Sequence, residues 1–336
     1  MDLTAPININ DVIGAVKDHQ AELVALDTLD AAEVLQYATP IPGVHDSYTL
    51  HRVTNGKVSA MYNGVFIGRT EAGKIVPRTL TVRPVKIEEK DEPERYRRSW
   101  IADVKGGLWP QDHPFALWLV QHVINLASND LREVLFTASY DAAQISASAN
   151  ADIKYAFDGW GAIVTAEKTA GNITVAKGNM YNTGTLTAAN IGDKLLAMYR
   201  SMPETFRAKK DAQIFLSLDL FDLYNDWYES KYTFVAGVGD DESHPVFLRG
   251  TQKKVKLCPV PMPAGSQLVI LTTKANTVYG YDKEEDLKNV QPFNSGNPYE
   301  FSMAGKYVFG TQFASIDKSE FLVNEAPLTP ATSAEP

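Results

Sequence analysis

Few of the residue types that carry catalytic or metal chemistry occur in this chain, and those that do are widely spaced. The chain has six histidines and one cysteine, Cys258, in 336 residues. No two histidines have the spacing of a zinc site; His113 and His122 are nine residues apart and fall on different faces of a predicted helix. A lone cysteine forms neither an intrachain disulfide nor a thiolate cluster. Its position in a strand-like run predicts a small buried side chain instead of a nucleophile.

One stretch has the spacing of a phosphate-binding loop. Residues 68–74 read GRTEAGK, which fits the pattern GxxxxGK. That pattern requires a Ser or Thr next, to bind Mg²⁺, and then a helix whose first turn faces the phosphates. Here Ile75 follows, and Val76 and Pro77 continue a strand-like pattern. The stretch is therefore better explained as the glycine-containing tip of a β-hairpin.

The densest cluster of oxygen ligands is the loop GDDESHP at residues 239–245. Asp240, Asp241 and His244 could hold a hard cation, and a cation-dependent hydrolase that uses the Asp240–His244 loop is the alternative from the enzyme class. The loop lacks the glycine and the distal glutamate of a Ca²⁺-binding loop, so a solvated loop tip is the favoured interpretation. We expect no catalytic residue, no metal site and no cofactor.

Composition argues against several further classes of protein. A hydrophobic content of 44% with 22% charged residues is typical of a globular protein, and 336 residues allow two domains of medium size. No apolar run approaches the roughly 20 residues of a membrane span, and the N-terminus lacks the features of a secretory signal. The net charge of -9 argues against a dedicated nucleic-acid reader.

The charge is distributed unevenly along the chain. Residues 55–98 contain ten Lys and Arg against six Asp and Glu, a net charge of +4, which leaves -13 on the remainder. A basic excursion on an acidic body can attract the acidic surface of another copy. The candidate inter-subunit contacts are Arg69, Lys74, Arg78, Arg83, Lys86, Arg95, Arg97 and Arg98. For the last three, ion pairing with the acidic run Glu88–Glu94 of the same subunit is the alternative.

The longest helical pattern runs over residues 112–138, and the rest of the chain must pack around it. Apolar residues recur there at helical spacing, with Asp112 as a good N-cap and Pro114 in the first turn. The predicted core residues of this spine helix are Phe115, Trp118, Leu119, Val123 and Leu126. The breadth of its apolar face predicts that other elements cover it on more than one side.

The flanking regions have weaker patterns. Residues 1–54 are predicted to form an N-terminal arm, and residues 55–98 a long β-hairpin that buries little by itself and therefore projects. Strand and helix patterns alternate from 160 to 285, which predicts an α/β region, and a strand-like run after Tyr299 could return beside the spine helix. The tail, residues 327–336, has the composition of a disordered segment.

The order of these parts resembles that of a known family. An arm, a projecting hairpin, a spine helix, the glycine turn FDGW at 157–160, an α/β region and a late strand together resemble the major capsid protein of tailed bacteriophages. The phrase SLDLFDLY at 217–224 resembles the strand-to-helix step of the family's axial domain. The phrases VKLCPVP at 255–261 and ANTVYGYD at 275–282 resemble its closing strands. Encapsulins and the herpesvirus capsid floor share this fold.

The resemblance implies an α+β capsid fold and a structural, non-enzymatic role. The segment 55–98 would be the E-loop, which lies over a neighbouring subunit. The peripheral domain would comprise 99–159, with the spine helix, and 286–326, and the axial domain at the capsomer centre would comprise 160–285. Copies would assemble as hexamers and pentamers into an icosahedral shell around double-stranded DNA.

The resemblance also implies partners and a location. They are other copies of the chain, a scaffold, portal and decoration proteins, and packaged DNA that is contacted non-specifically, with no membrane. The shell would be assembled in the cytoplasm of the host bacterium and become part of the virion. An encapsulin-like nanocompartment, which encloses cargo enzymes, is the alternative within the same fold.

Overall fold

The structure is a computed structural model that describes residues 31–55, 73–105, 115–147, 152–231, 246–283, 290–293 and 300–329. Its helices are α1 (Ala32–Leu35), α2 (Pro93–Lys105), α3 (Phe115–Val134, the spine helix), α4 (Ala142–Ala147), α5 (Trp160–Thr169), α6 (Ile191–Arg200), α7 (Glu204–Arg207) and α8 (Leu218–Lys231). Its strands are β1 (Thr39–Ile41), β2 (Ser47–Asn55), β3 (Gly73–Thr81), β4 (Arg83–Asp91), β5 (Met180–Tyr181), β6 (Ala212–Ser217), β7 (Val255–Val260), β8 (Ile270–Thr273), β9 (Thr277–Tyr281), β10 (Gln291–Phe293), β11 (Phe301–Phe313) and β12 (Leu322–Asn324). These elements confirm the predicted α+β class.

The first sheet is built on the long strand β11, which is the predicted late return strand. β4 pairs antiparallel with one edge of β11, from Phe301↔Asp91 to Phe309↔Arg83. β10 and β9 share the other edge, and β1 extends the sheet by pairing parallel with β9. The spine helix packs in the core on this sheet, so the predicted return of a late strand to its side is confirmed.

The second sheet has the order β5-β12-β8-β6-β7, and β6 lies inside it. All six residues of β6 are buried, because its two faces pack against different cores. Ile214 and Leu216 face a core formed with α6 and α8, whereas Phe215 faces the core of the spine helix. In the former core a Cβ at Gly192 would overlap the indole of Trp227, so glycine is needed where α6 meets α8.

The spine helix is fixed at its C-terminal end by the glycine turn. The Gly159 N–H donates to the Ala138 carbonyl at 2.8 Å, and the Trp160 N–H donates to the Leu135 carbonyl at 3.0 Å. A Cβ at Gly159 would lie 2.5 Å from the Leu135 oxygen, so only glycine allows this approach. The described helix ends at Val134, before the predicted limit of 138, because the chain turns there. The predicted N-cap at 112 lies outside the described residues.

The predicted hairpin differs from the observed one at both ends. β2 pairs with β3, from Ser47↔Thr81 to Asn55↔Gly73, so the hairpin begins earlier than residue 55. β4 belongs to the first sheet instead. The border between β3 and β4 is visible in the sequence as a shift in the phase of the alternation. Before Pro84 the buried residues have even numbers (Leu80 and Val82), and after it they have odd numbers (Val85 and Ile87). An alternation that changes phase marks the border between two strands.

Residues beyond β4 form helix α2, which was not predicted from the sequence. Pro93 stands at its first position, where a missing N–H is harmless, and Tyr96 and Trp100 follow at helical spacing. Trp100 is buried in the core beside the spine helix. These residues should have indicated a helix, but their charged neighbours suggested the base of a hairpin.

The observed sheets and core also differ from the predicted domain borders. β9 was predicted to close the axial region but lies in the first sheet, whereas β12 was predicted for the peripheral region but lies in the second. A short 3₁₀ turn, Lys274–Asn276, redirects the chain from β8 to β9 and explains the first difference. In the predicted arm, α1 and β1 belong to the body, since Val34 and Leu35 are buried in its core. In the predicted tail, Leu328 is buried against Gly161 because it is a large apolar side chain.

No helix of the described part is long and apolar enough to cross a membrane.

Candidate inter-subunit surface

The root of the hairpin, formed by the body-side ends of β2 and β3, packs on the first sheet. Leu50 and Leu80 are buried with Val278 and Ala314 in a small core of their own. A Cβ at Gly280 would meet the Leu80 side chain at 2.8 Å, so glycine permits a close approach between the root and β9. The root is therefore part of the folded body.

Arg78 holds the root to the body through three acceptors. Its Nε donates to the Phe313 carbonyl at 2.9 Å, and its Nη2 donates to Glu167 Oε1 at 2.8 Å and to Gln312 Oε1 at 2.9 Å. The Gln312 amide in turn donates to the Thr79 carbonyl at 2.9 Å. The side chains of Arg78 and Glu167 are only 11% and 19% exposed. Arg78 was predicted to contact another subunit, but its side chain faces β11 and is used within its own subunit.

No local pattern in the sequence indicates this clamp. Glu167 lies 89 residues from Arg78 and Gln312 lies 234 residues away. Only the fold brings the three side chains together. Arginine in an alternating strand usually lies on the solvent face, so its side chain was predicted to be exposed.

Beyond its root the hairpin leaves the body. The side chain of Val76 is 44% exposed, and His51 and Pro77 are exposed as well. β2 and β3 form a sheet of two strands, and no other described strand extends it. Two strands without a supporting layer are marginally stable in water. This part of the hairpin therefore has the composition and geometry of an element that needs a second surface.

Arg83 and Lys86, on the first half of β4, make contacts within the subunit. The Arg83 guanidinium lies over the Tyr140 ring, 4.3 Å from its centroid. Lys86 Nζ pairs with Glu88 Oε2 at 2.6 Å, and both side chains are about half exposed. An exposed pair of this kind is weak and can exchange partners when another charged surface approaches.

The arginine triplet lies on α2 and is held differently at each position. Arg95 pairs with Asp91 at 2.7 Å, and the Tyr96 hydroxyl donates to the same carboxylate at 2.8 Å. The backbone N–H that follows Asp91, then Tyr96 and Arg95, lower the pKa of this carboxyl. For Arg95, pairing within the subunit is therefore observed. Arg97 is half-buried and Arg98 is exposed.

Of the five predicted core residues of the spine helix, three are buried, one is half-buried and one is exposed. Trp118, Leu119 and Val123 are 6%, 0% and 4% exposed, and Phe115 is half-buried against the same core. Leu126 is 47% exposed, so its assignment to the core was wrong. Leu126 lies one heptad after Leu119 and therefore on nearly the same stripe of the helix surface. The described elements that cover Leu119 do not extend as far as Leu126.

Leu126 instead lines a cleft of about 660 Å³ between the spine helix and strand β4. Ile87 and Tyr307 contribute to the cleft from the sheet, and Asp130 and Glu133 from the helix. An apolar lining next to carboxylates is suited to a side chain that combines an apolar stem with a positive charge.

The remaining predicted groups do not form a site in the described part of the chain. Arg69 and the loop Asp240–His244 lie outside it, and of the motif at 68–74 only the last two residues lie within it, as the start of a strand; the side chain of Lys74 is outside it as well. Burial raises the pKa of the Cys258 thiol to about 12, which keeps it protonated. No three metal-ligating side chains cluster among the residues searched, which are the described ones.

Neither a protein-family profile nor a curated protein sequence matches this chain, but solved structures do. A chain of a satellite phage P4 procapsid including size determination (Sid) protein is 10% identical, and the alignment covers 98% of this chain and 94% of that one, with a TM-score of 0.56. A chain from the capsid of an empty GTA particle is 12% identical, with 89% and 97% covered and a TM-score of 0.47. A chain of Mycobacterium phage Bobi is 11% identical, with 94% and 99% covered and a TM-score of 0.48.

The alignment with the P4 procapsid chain spans almost all of both chains. This chain therefore has a phage capsid fold, as the order of its parts suggested. At 10% identity the likeness concerns the fold, and the role of each surface has to be argued from the geometry above.

Proposed function

We propose that this chain is a structural subunit, not an enzyme, that self-assembles into the icosahedral capsid shell of a phage and encloses double-stranded DNA. The observation that carries the proposal is the hairpin, whose root is fixed to the body while its outer part lacks a supporting layer among the described residues. A hairpin of this kind gains stability when it lies on another subunit. The likeness of fold to a phage procapsid chain agrees with this role.

The rigid root fixes the direction in which the hairpin leaves the body. Arg78 joins β3 to both β11 and α5, so the hairpin leaves the body at a fixed place. A hairpin held in one direction makes the same contact in every copy, and closed symmetric assembly requires such identical contacts. In this proposal the hairpin is the E-loop and the copies form hexamers and pentamers.

Charge contributes to the contact. The +4 segment at 55–98 would meet the acidic body of a neighbour, with Arg98 and Lys86 as contact residues on its described, exposed surface. Arg69 and Lys74 would contribute from the tip. Each exposed ion pair is worth only about 0–1 kcal/mol, but a shell repeats every pair in every copy.

The proposal extends to partners and location. A scaffold, a portal and decoration proteins are expected for a shell of this kind, and packaged DNA would be contacted without sequence specificity, as the net charge of -9 suggests. Assembly would take place in the cytoplasm of the host bacterium, and the chain would be part of the virion.

Electron microscopy of the purified protein tests the proposal. We expect closed shells of uniform size, with assembly that weakens as NaCl rises from 0.1 to 1 M, because the screening length falls from about 10 Å to about 3 Å. A protein that stays monomeric by light scattering at all salt and protein concentrations, and with added scaffold candidates, would contradict the proposal. Shells that persist in 1 M NaCl would leave the shell standing and remove the electrostatic contribution.

A further inference from the structure

We propose that the cleft between the spine helix and β4 is a binding site for a small aliphatic polyamine, a linear chain of methylene groups that carries two or more ammonium groups. Three observations support the proposal: the excess of carboxylates in the cleft, the apolar stripe along its helix side and a buried hydroxyl that lacks a partner. The inference goes beyond the proposed shell, because the site lies within one subunit and can be tested on the subunit alone.

The cleft has more negative charge than its own cations neutralise. Two lysines line it, against five carboxylates: Glu88, Glu89, Asp130, Glu133 and Asp152. The lysines are already paired, Lys86 with Glu88 at 2.6 Å and Lys154 with Asp152 at 3.4 Å, and the other three carboxylates have no cationic partner among the described residues. Burial, and then the neighbouring carboxylates of Glu133 and Asp152, raise the pKa of Asp130. A positive charge placed among these groups would relieve that repulsion.

The helix side of the cleft is a long and largely apolar stripe. Its lining residues recur at helical spacing from Val123 to Thr137. At a rise of about 1.5 Å per residue, this stripe is about 21 Å long. Leu126 and Val134 are apolar members of the stripe, and Ile87 faces it from β4. The methylene groups of a linear ligand can lie along these side chains while its ammonium groups reach the carboxylates.

The spacing of the carboxylates favours a polyamine over a metal ion. Asp130 and Glu133 are three positions apart on the spine helix, which places their Cβ atoms about 5–6 Å from each other. Two ammonium groups separated by three or four methylenes have a similar spacing, so one molecule can pair with both carboxylates. A divalent metal ion needs several oxygen ligands that converge on one point, and no such group of three side chains occurs among the described residues.

A buried hydroxyl that lines the cleft lacks a partner. Tyr307 is 3% exposed, and its Oη makes no hydrogen bond to the described residues. Burial, and then the charge of the nearby Asp130, raise the pKa of Tyr307. Buried polar groups in folded proteins are nearly always paired, so an unpaired one that lines a cleft indicates a missing ligand. A water molecule would satisfy the hydroxyl alone, whereas an ammonium group would donate to the tyrosine oxygen and also neutralise the adjacent carboxylate.

Isothermal titration calorimetry of the purified protein tests the site, with spermidine as the probe after dialysis against high salt to remove polyamine retained from the cell. We expect saturable binding of one spermidine per subunit. Its affinity should be about tenfold or more above that of butylamine, which has a single ammonium group, because linked charges bind together. Mg²⁺ should compete poorly, since it has no methylene groups to lie on the apolar stripe. The absence of saturable spermidine binding, or equal affinities for Mg²⁺ and spermidine, would overturn the inference.

A matched pair of double variants separates the cleft from a general charge effect. Asp130→Asn with Glu133→Gln keeps the shape of both side chains and removes their charge, which should lower the affinity for spermidine by about tenfold or more. Asp226 and Glu229 have the same residue types and spacing on α8, and both are exposed. Asp226→Asn with Glu229→Gln should leave the affinity unchanged. Equal losses from the two double variants would assign the binding to charge anywhere on the surface and overturn the inference. Circular dichroism checks that each variant is folded.

Tyr307→Phe gives a second readout. It removes the unpartnered hydroxyl, so without spermidine the variant should be at least as stable as the wild type, while its affinity for spermidine should fall about threefold or more. Unchanged affinity would overturn the inference, because the hydroxyl is the part of the site that an acidic surface alone lacks. The titration measures binding to the subunit in any state of assembly. A protein that binds spermidine without forming particles would contradict the shell alone, and one that forms particles without binding spermidine would contradict the site alone.

Discussion

The hairpin and the spine helix differ in where their partners are. The spine helix is covered by its own subunit, since Leu119 and Ile124 are fully buried and its last turn is joined to the glycine turn by backbone hydrogen bonds. Among the residues that the structure describes, the hairpin is covered only at its root. Leu80 is fully buried there, whereas Val76, four residues further from the body, is 44% exposed.

This difference separates two kinds of stability. Burial in the body determines the free energy of unfolding of a single subunit, while in the proposed shell the exposed strands would gain their stability from contacts between subunits. Changes to the two regions should therefore be seen in different experiments, one on the monomer and one on the assembly. The following predictions test that separation, from the largest expected effect to the smallest.

Shortening the hairpin should abolish assembly without unfolding the subunit. Because Asn55 and Gly73 are direct partners, residues 56–72 can be replaced by a two-residue Asn-Gly turn. We expect no particles by electron microscopy and an unchanged midpoint of chemical unfolding within error. An insoluble or unfolded product would show that the tip belongs to the core of its own subunit, and the separation would be wrong.

Two leucines on the spine helix provide a matched pair for the body. Leu119→Ala should lower the free energy of unfolding by about 2–5 kcal/mol, because it leaves a cavity at a fully buried position. Leu126→Ala, one heptad later at a 47% exposed position, should change it by less than about 0.5 kcal/mol. Urea denaturation of the monomer measures both. Equal losses would show that the cleft is closed in solution.

The clamp at the root lies between the two regions, and its effect should be intermediate. Arg78→Met leaves the Phe313 carbonyl and the Gln312 amide oxygen with fewer donors, which should cost about 1–3 kcal/mol. Glu167 keeps a donor from Asn172 at 2.7 Å, which limits the loss. Arg95→Met, at an exposed ion pair, should leave the unfolding midpoint unchanged. A similar loss from both arginines would mean that the root is no more tightly held than the surface.

A partly buried lysine in the body gives an effect that depends on pH. Lys168 donates to the Ala326 carbonyl at 2.7 Å, and burial lowers its pKa from 10.5 to about 8, with Glu325 opposing the shift. Between these two pH values the unfolded chain binds more protons, so the free energy of unfolding should rise with pH from about 8 to 10.5. Lys168→Met should reduce this rise, whereas Lys177→Met, at an exposed position, should retain it.

The sequence was sufficient for the parts whose signal is local. The spine helix could be predicted because apolar residues recur at its own helical period, and the glycine turn because close approach requires glycine. The class of fold followed from the order of the elements. In each case the residues that carry the signal also make the contact, as Leu119 and Gly159 do.

The sequence was insufficient where contacts are distant. The exchange of β9 and β12 between sheets depends on pairing partners far along the chain, and alternation cannot distinguish one buried sheet from another. The clamp of Arg78 joins residues 89 and 234 positions away. Leu126 continues a valid helical stripe, and only the absence of a covering element above it makes it exposed. The spacing of apolar residues predicts which face of a helix is apolar. It does not predict how far along that face other elements pack.

The late position of β11 and β12 has a consequence for synthesis. β4 can pair with β11 only after more than 200 further residues have been synthesised. The second sheet is incomplete until Leu322–Asn324 have left the ribosome. At about 5–20 residues per second, the ribosome exposes unpaired strands for roughly ten seconds or longer before either sheet can close. Nascent chains on one messenger are therefore unable to present a finished surface to each other. In the proposed shell, a subunit would become competent for assembly only once β12 has left the ribosome, so that incomplete chains would not nucleate shells.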